Sequence, residues 1–434
     1  MRVILKRSIL VTLSAGLALA AGSVGVPAVR WGEDVPPGPV RDEAQIREQN
    51  ITFYHWRLRR DPTSAFDRAQ LAALHLQRGR ESGDPEDVLR AEALARASLA
   101  DRDSRNARGY STLISALMTQ HRFTEARAVA QRLVALDTTN VPARAVLGEI
   151  HMELGEYAAA RRIFGALYAR RSSLAVAPRL ARWLELQGQI EAARRLLTNA
   201  LDTAVTRPKL PREQVAWFYL RVGELELRGG HFGAARSAFR AGLAVAPQDA
   251  RLLAAMARLE AARGRWRRAV ELGERAIAIA PDPATLGLIG DGYAALGDSA
   301  RAEEYYHTME VVTLAQPGGF HRAWTLFLLD HQRRVPEVLA QVQEEIHIRR
   351  DIYGWDLLAW ALHRAGRDRE ALPAMAKALA LGTEDASLFY HMGTIQRALG
   401  QRVAARRYLT RALAVNPSFH PTQARDVRAA LEAL

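Results

Sequence analysis

Apolar residues recur along this chain at helical spacing, in segments separated by short polar or proline-containing steps. Residues 42–60 read as a first helix, with Ile46, Ile51, Tyr54 and Leu58 on one side and Asp61-Pro62 as its stop. A helix near 64–78 is then paired with one near 86–100, across an unusually long turn at Arg80–Pro85. From there the pairing is regular. Each unit has an apolar-periodic helix, a tight glycine turn, and a second helix closing on a step such as Leu136–Asn140, Ala246–Asp249, Ala280–Pro283 or Asn416-Pro417.

The turn glycines keep one phase: Gly155, Gly188, Gly230, Gly264, Gly297, Gly366 and Gly400, with several steps of 33 or 34 residues and Arg333 at the missing position. Five residues after each glycine stands Ala160, Ala193, Ala235, Ala269, Ala302, Ala371 or Ala405. A fixed period of this size predicts an all-α solenoid in which each unit buries its apolar face against its neighbours, the architecture of a binding scaffold. The step from Gly188 to Gly230 is 42 residues, with the extra ones at Thr206–Pro211, and Leu314–Gly319 also breaks the rhythm. Such insertions read as connectors, with the shaping of a binding site as the alternative.

The pattern resembles the tetratricopeptide repeat family. Leu286, Ile289, Gly290, Tyr293, Gly297, Ala302 and Tyr306 fall at that family's spacings, and Phe389, Met392, Gly393, Gly400, Ala405, Leu409, Ala412 and Pro417 repeat them. Weaker copies carry Leu147, Gly148, Gly155, Tyr157, Ala160 and Phe164, then Gly223, Gly230, Phe232, Ala235, Phe239 and Pro247. The resemblance implies a right-handed α-solenoid of about ten helix–turn–helix repeats over residues 51–420. Residues 421–434 read as a capping helix, with Val427, Leu431 and Leu434 covering the end of the stack and Arg425, Asp426 and Arg428 in water. Gly290 and Ala302 are expected to let paired helices approach, and Tyr293 and Tyr306 to fill the groove between successive repeats.

The resemblance further implies that the first helix of each repeat lines a concave groove that takes extended peptides. The groove positions then include Arg108, Glu149, Arg182, Glu185, Trp217, Glu224, Arg251, Arg258 and Asp291, followed by Tyr353, Asp356, Trp360, His363, Tyr390 and Arg397. Arg364 lies beside the late aromatic group, a combination suited to binding hot spots; its alternative is packing between helices. The family's lysine-and-asparagine carboxylate clamp is absent, which argues against a cytosolic co-chaperone.

Composition adds three points. There is no cysteine, so disulfides, a lipobox and cysteine metal sites are excluded. The formal charge is +13, yet only Lys6, Lys209 and Lys377 among 60 basic residues are lysine, a ratio that reflects arginine-rich codon usage as well as any polyanion partner. Arg2, Lys6 and Arg7 precede an uncharged stretch from Ser8 to Val29, and Ala18-Leu19-Ala20 offers a small-x-small cleavage site. Residues 1–30 are therefore expected to be a signal peptide cut after Ala20, or else an uncleaved anchor. Residues 31–50 hold a stiff linker, Val35–Pro39, and the start of the first helix. Cleavage would leave 13 − 3 = +10. Either way the solenoid is expected outside the cytoplasm: periplasmic or secreted, or held at the inner membrane.

Catalytic patterns are missing: no Walker loop, GxGxxG, GxSxG or HExxH. His151, His231, His363 and His391 fall one per repeat and read as helix-surface residues rather than metal ligands. The reading is a non-enzyme without cofactor or metal that binds a protein or peptide segment, within an envelope or secretion assembly. Its alternatives are a self-assembling filament and a salt-sensitive binder of nucleic acid or anionic polysaccharide.

Overall fold

The computed structural model describes residues 43–207, 210–315 and 322–434. Residues up to Arg47 form one unit, described only from the start of helix Glu43–Arg60, and residues 48–434 form the other. After Glu43–Arg60 come ten consecutive helix pairs among the described residues, from Ala65–Ser82 with Pro85–Asp101 to Ala386–Ala398 with Arg402–Val415. Gln423–Ala433 follows them. The arrangement is an all-α solenoid.

Local chemistry sets each boundary. Among the described residues, seven of the ten first helices start on Ser, Asn or Asp caps whose side chains accept backbone N–H bonds, such as Asn140 from Ala143, Asp282 from Thr285 and Asp385 from Ser387. They end on a left-handed residue that starts the second helix at once. Two expectations are corrected here. Helix Ala65–Ser82 runs four residues past its expected end, so Arg80–Pro85 is not a long turn; Gly83 caps one helix at φ 73° and Asp84 with Pro85 opens the next. In the eighth pair the left-handed residues are Gln332, φ 53°, and Arg334, φ 49°, on either side of Arg333, whose N–H closes on the Leu328 carbonyl.

Packing within a pair follows one rule. The alanines five residues after each turn glycine are at most 2% exposed. Sixteen residues separate Gly148 from Phe164, Gly223 from Phe239, Gly290 from Tyr306 and Gly393 from Leu409, and in each case a β-carbon on the glycine would come within 3 Å of the larger side chain. The ring of Tyr306 thus fills a hole in its own pair and also packs on Phe327 and His331 of the next repeat, with centroids 4.7 and 5.2 Å away. Tyr293 does reach the preceding repeat, donating to Glu274 Oε1 at 2.6 Å.

Residues 48–434 also coil back upon themselves. The turns of the first, third, fourth and fifth pairs each meet the connection that follows the pair five further on: Gly83 meets Ala280, Gly155 meets Arg350, Gly188 meets Gly382, and Gly230 meets Asn416. Hydrogen bonds join these coils. Tyr157 Oη accepts the Ile352 N–H at 2.7 Å, Thr383 Oγ1 donates to the Leu186 carbonyl, and Asn416 Nδ2 donates to the Leu227 carbonyl at 3.0 Å.

Two turn glycines of like backbone conformation therefore carry different loads. Gly297 has φ 88° and open space around it, whereas at Gly155, φ 75°, an added β-carbon would sit 2.2 Å from the Arg350 carbonyl oxygen. Gly297→Ala is expected to cost only the left-handed strain of about 1–2 kcal/mol. Gly155→Ala should cost more and should separate the coils, read as faster amide exchange at Arg350–Tyr353 and a larger fall in melting temperature. Equal effects of the two substitutions would contradict the seam.

Candidate functional site

The first helices face inward, and charged side chains bridge them from one pair to the next. Arg179 meets Glu149 at 2.6 Å, Arg228 Nε meets Glu185 at 2.8 Å, Arg258 meets Glu224 at 3.0 Å and His331 meets Asp291 at 3.1 Å. Burial penalises the charge on Glu185, yet Arg228 and Arg182 outweigh it and bring its carboxyl down to about 2. Glu224 is likewise lowered by Arg221 and Arg258 against its burial. These carboxylates are ionised partners and not proton carriers near neutrality.

The coiling brings Arg182 to Tyr353, 171 residues away: Nη2 donates to the phenol oxygen at 3.1 Å, and the Arg322 guanidinium lies 4.6 Å from the same ring. Arg322 reaches Asp356 only at 3.4 Å, and its Nε has no partner among the described residues. Asp356 is fully buried. It meets His391 Nδ1 at 2.6 Å, and His391 with Arg322 holds its carboxyl below the usual range although burial works the other way.

The late aromatic group is mostly core. Trp360 is 1% exposed, donates from Nε1 to Asp330 at 2.9 Å, and stacks on His391 at 4.1 Å. Trp360 and Asp356 are thus corrected from groove-lining to packing residues. Arg364 donates to the carbonyls of Leu329 and Asp330, His363 pairs with Asp368 at 2.5 Å, and Tyr390 is wedged between Trp360 and Phe419. Burial, reinforced by Asp426 and Asp330, pushes the Tyr390 phenol up to about 12. His151 and His391 are buried beside carboxylates rather than on helix surfaces, because Glu156 and Asp356 satisfy their ring nitrogens. Arg397 is exposed. Trp217 and Arg251 lie together elsewhere, lining a cavity of about 450 Å3 with Arg179, Glu213 and Phe218. Ala18 and Ala20 lie outside the described residues.

Of the expected groove residues, Arg258, Glu224 and Asp291 line a larger cavity of about 490 Å3 between two coils. Its remaining wall was not legible in the sequence: Arg228, Leu288, Arg322, Asn416, Phe419 and His420. Phe419 and His420 come from the segment after the last pair, and only the coiling sets them opposite the fifth to seventh pairs. Burial keeps His420 neutral against the pull of Asp330, and its Nδ1 accepts the Thr422 and Gln423 N–H groups at 3.4 Å, so Nε2 carries the proton. The cavity offers donors on Arg228, Arg258, Arg322 and His420, acceptors on Glu224 and Asp291, and apolar wall at Leu288 and Phe419. Such a surface hydrogen-bonds an extended backbone while covering one or two side chains.

Residues 117–173 and 220–283 each match the tetratricopeptide repeat. No curated protein matches the chain. Among solved structures, it is similar to the anaphase-promoting-complex hetero-tetramer Cut9–Hcn1, with 14% identity, 89% of this chain and 94% of that chain covered, and a TM-score of 0.34. A tetratricopeptide repeat protein from Parabacteroides merdae shares 15% identity over 60% of this chain and 99% of that chain, with a TM-score of 0.39. PilW, a widely conserved type IV pilus biogenesis factor, shares 20% identity over 48% of this chain and 94% of that chain, with a TM-score of 0.38. The chain thus carries tetratricopeptide repeats in both of these stretches.

One group at the coil seam titrates near neutrality. Glu153 is half-buried, 3.8 Å from Arg349, with Asp351 close by. Burial, then repulsion from Asp351, pushes its carboxyl up to about 7 despite Arg349. The folded chain therefore holds this proton more tightly than the unfolded one. The corresponding stability is complete below about 4.5 and lost as pH rises through about 7. Glu153→Gln, which cannot ionise, is expected to melt higher than the native chain at pH 8 and level with it at pH 4. A difference independent of pH would refute the assignment.

Proposed function

We propose that this tetratricopeptide repeat protein is an exported, non-catalytic scaffold that holds an extended protein segment against its inner face, seated in the cavity between Leu288 and Phe419. The observation that carries the reading is that cavity: about 490 Å3, walled by two coils of the same chain, with donors, acceptors and apolar surface together. Extended peptides present backbone N–H and C=O groups in alternation, and a wall of alternating charge accommodates both.

Export rests on the sequence before the solenoid, where three basic residues precede the uncharged stretch Ser8–Val29. The positive charge does not by itself call for a polyanion. Arg122, Arg194 and Arg333 are each spent on a carboxylate of the neighbouring repeat, at Glu92, Glu226 and Glu303. Such pairs neutralise part of the charge where repeats meet, and the excess that remains leaves a polyanion as the competing reading.

Ala262→Trp would fill the cavity without removing a core contact, since Ala262 lines it and is only partly buried. Immobilised native chain should retain a defined protein from the envelope fraction of its own cell, and the Ala262→Trp chain, melting at the same temperature, should lose it. Retention of the same proteins by both would sink the cavity as the seat. Material released wholly by moderate salt and consisting of nucleic acid or polysaccharide would replace the reading. For export, the chain recovered from the periplasm should begin at Ala21 or carry its intact N-terminus in the membrane; a full-length cytoplasmic chain would refute it.

A further inference from the structure

Helix Glu43–Arg60 is left largely without protein cover. Between residues 48 and 60 only Ile51 is buried, while Phe53 is 47% and Trp56 41% exposed. A water-soluble helix gains most of its stability from packing an apolar face, so a helix that shows two large aromatics to solvent calls for a further surface. The exposed residues are ordered. Phe53, Trp56, Arg57 and Arg60 follow the i, i+3, i+4, i+7 spacing and form one stripe. The Phe53 and Trp56 rings stack with centroids 6.2 Å apart, the Arg60 guanidinium lies 3.9 Å above Trp56, and Arg57, which pairs through Nε with Asp67 at 2.8 Å, lies 5.8 Å from the Phe53 ring. Arg59 adds a third cation beside the stripe, and Phe66, past the turn, is 59% exposed.

From this stripe we infer a docking surface for an anionic lipid bilayer. Aromatic rings interleaved with arginines suit the boundary between acyl chains and headgroups: the rings enter the apolar side and the guanidinium groups meet phosphate. Charge complementarity favours lipid over a neutral protein face, because juxtamembrane cations are each drawn to an anionic surface. The sequence supplies continuity, since the uncharged stretch Ser8–Val29 ends only 24 residues before Phe53. Cut or uncut, that stretch brings the chain to a membrane during export, and the stripe would then set how the solenoid lies against it. The inference is independent of what the inner cavity holds.

The chain has no cysteine, so Gln49→Cys, exposed one turn before Phe53 on the same stripe, labels at a single site. The full chain carrying a polarity-sensitive fluorophore there would be reconstituted with phosphatidylglycerol vesicles and with phosphatidylcholine vesicles. Blue-shifted emission and several-fold weaker iodide quenching are expected on the anionic lipid alone. Trp56→Ser and Arg60→Glu should each return the probe to water. Equal access of iodide on both lipids overturns the proposal. So does protection that appears in lipid-free detergent and grows with protein concentration, which would identify a second copy as the occupant. Should either variant lose helicity, the comparison of the two lipids on the otherwise native chain still decides the matter.

Discussion

The closeness of successive coils governs the rest of this molecule. A solenoid is ordinarily held by nearest-neighbour contacts alone, each repeat stabilised by the one before and the one after. Here the turn of one pair lies against the connection that follows the fifth pair beyond it, repeatedly and in the same way at Gly83, Gly155, Gly188 and Gly230. Backbone can approach backbone so closely only where no β-carbon intervenes. The glycines that end the first helices therefore serve two purposes in the early repeats and one in the late repeats, where Gly297, Gly366 and Gly400 have open space around them.

That constraint decides what the inner face can be. In an open solenoid the first helices present their polar residues to water. Coiled this tightly, Arg182 is brought to Tyr353, and Arg228 and Arg258 share a cavity with Phe419 and His420. Charges at such positions lose water, and the chain offsets the loss by pairing inward arginines with carboxylates, one repeat away at Arg179, Arg228 and Arg258 and within one helix at Arg182 and Arg221. The separations of Arg179–Glu149 and Arg258–Glu224, 30 and 34 residues, follow the repeat itself. The ladder is thus periodicity written in charge.

What could be read from the sequence was whatever one repeat contains. The glycine phase, the buried alanines five residues later and the capped starts of the first helices all depend on neighbours within about 35 residues. The sixteen-residue fit of Gly290 under Tyr306 is equally local, as is the packing of Tyr306 on Phe327 of the next repeat. Coiling depends instead on small rotations between repeats that accumulate over about 190 residues, and no spacing in the sequence encodes their sum. Hence the cavity wall at Asn416–His420 went unseen, and Trp360, which shares the pattern of a groove residue, proved to be core. Its indole N–H is satisfied by Asp330, and its face is taken by His391. A tryptophan in a binding groove would keep at least one of these free.

A closed coil also changes how a partner can be held. In an open groove an extended segment is laid in from the side and contacts one face. Where coils touch, a segment must either pass along the channel or part the seam. The seam combines hydrogen bonds at Tyr157, Thr383 and Asn416 with apolar packing, since Trp183 and Leu186 share one core cluster with Ile352 and Leu388. Each such bond contributes only about 1 kcal/mol net. Parting the seam costs those bonds together with the apolar cover shared between the coils, and a bound segment would have to offset both. Binding and coil opening are then thermodynamically linked. A segment that fits only the open coil shifts the chain toward that state, and anything that tightens the seam weakens the segment's hold by the same factor. The contact between Gly155 and Arg350 and the cavity beside Leu288 are on this view parts of one equilibrium, set by how closely two backbones can lie.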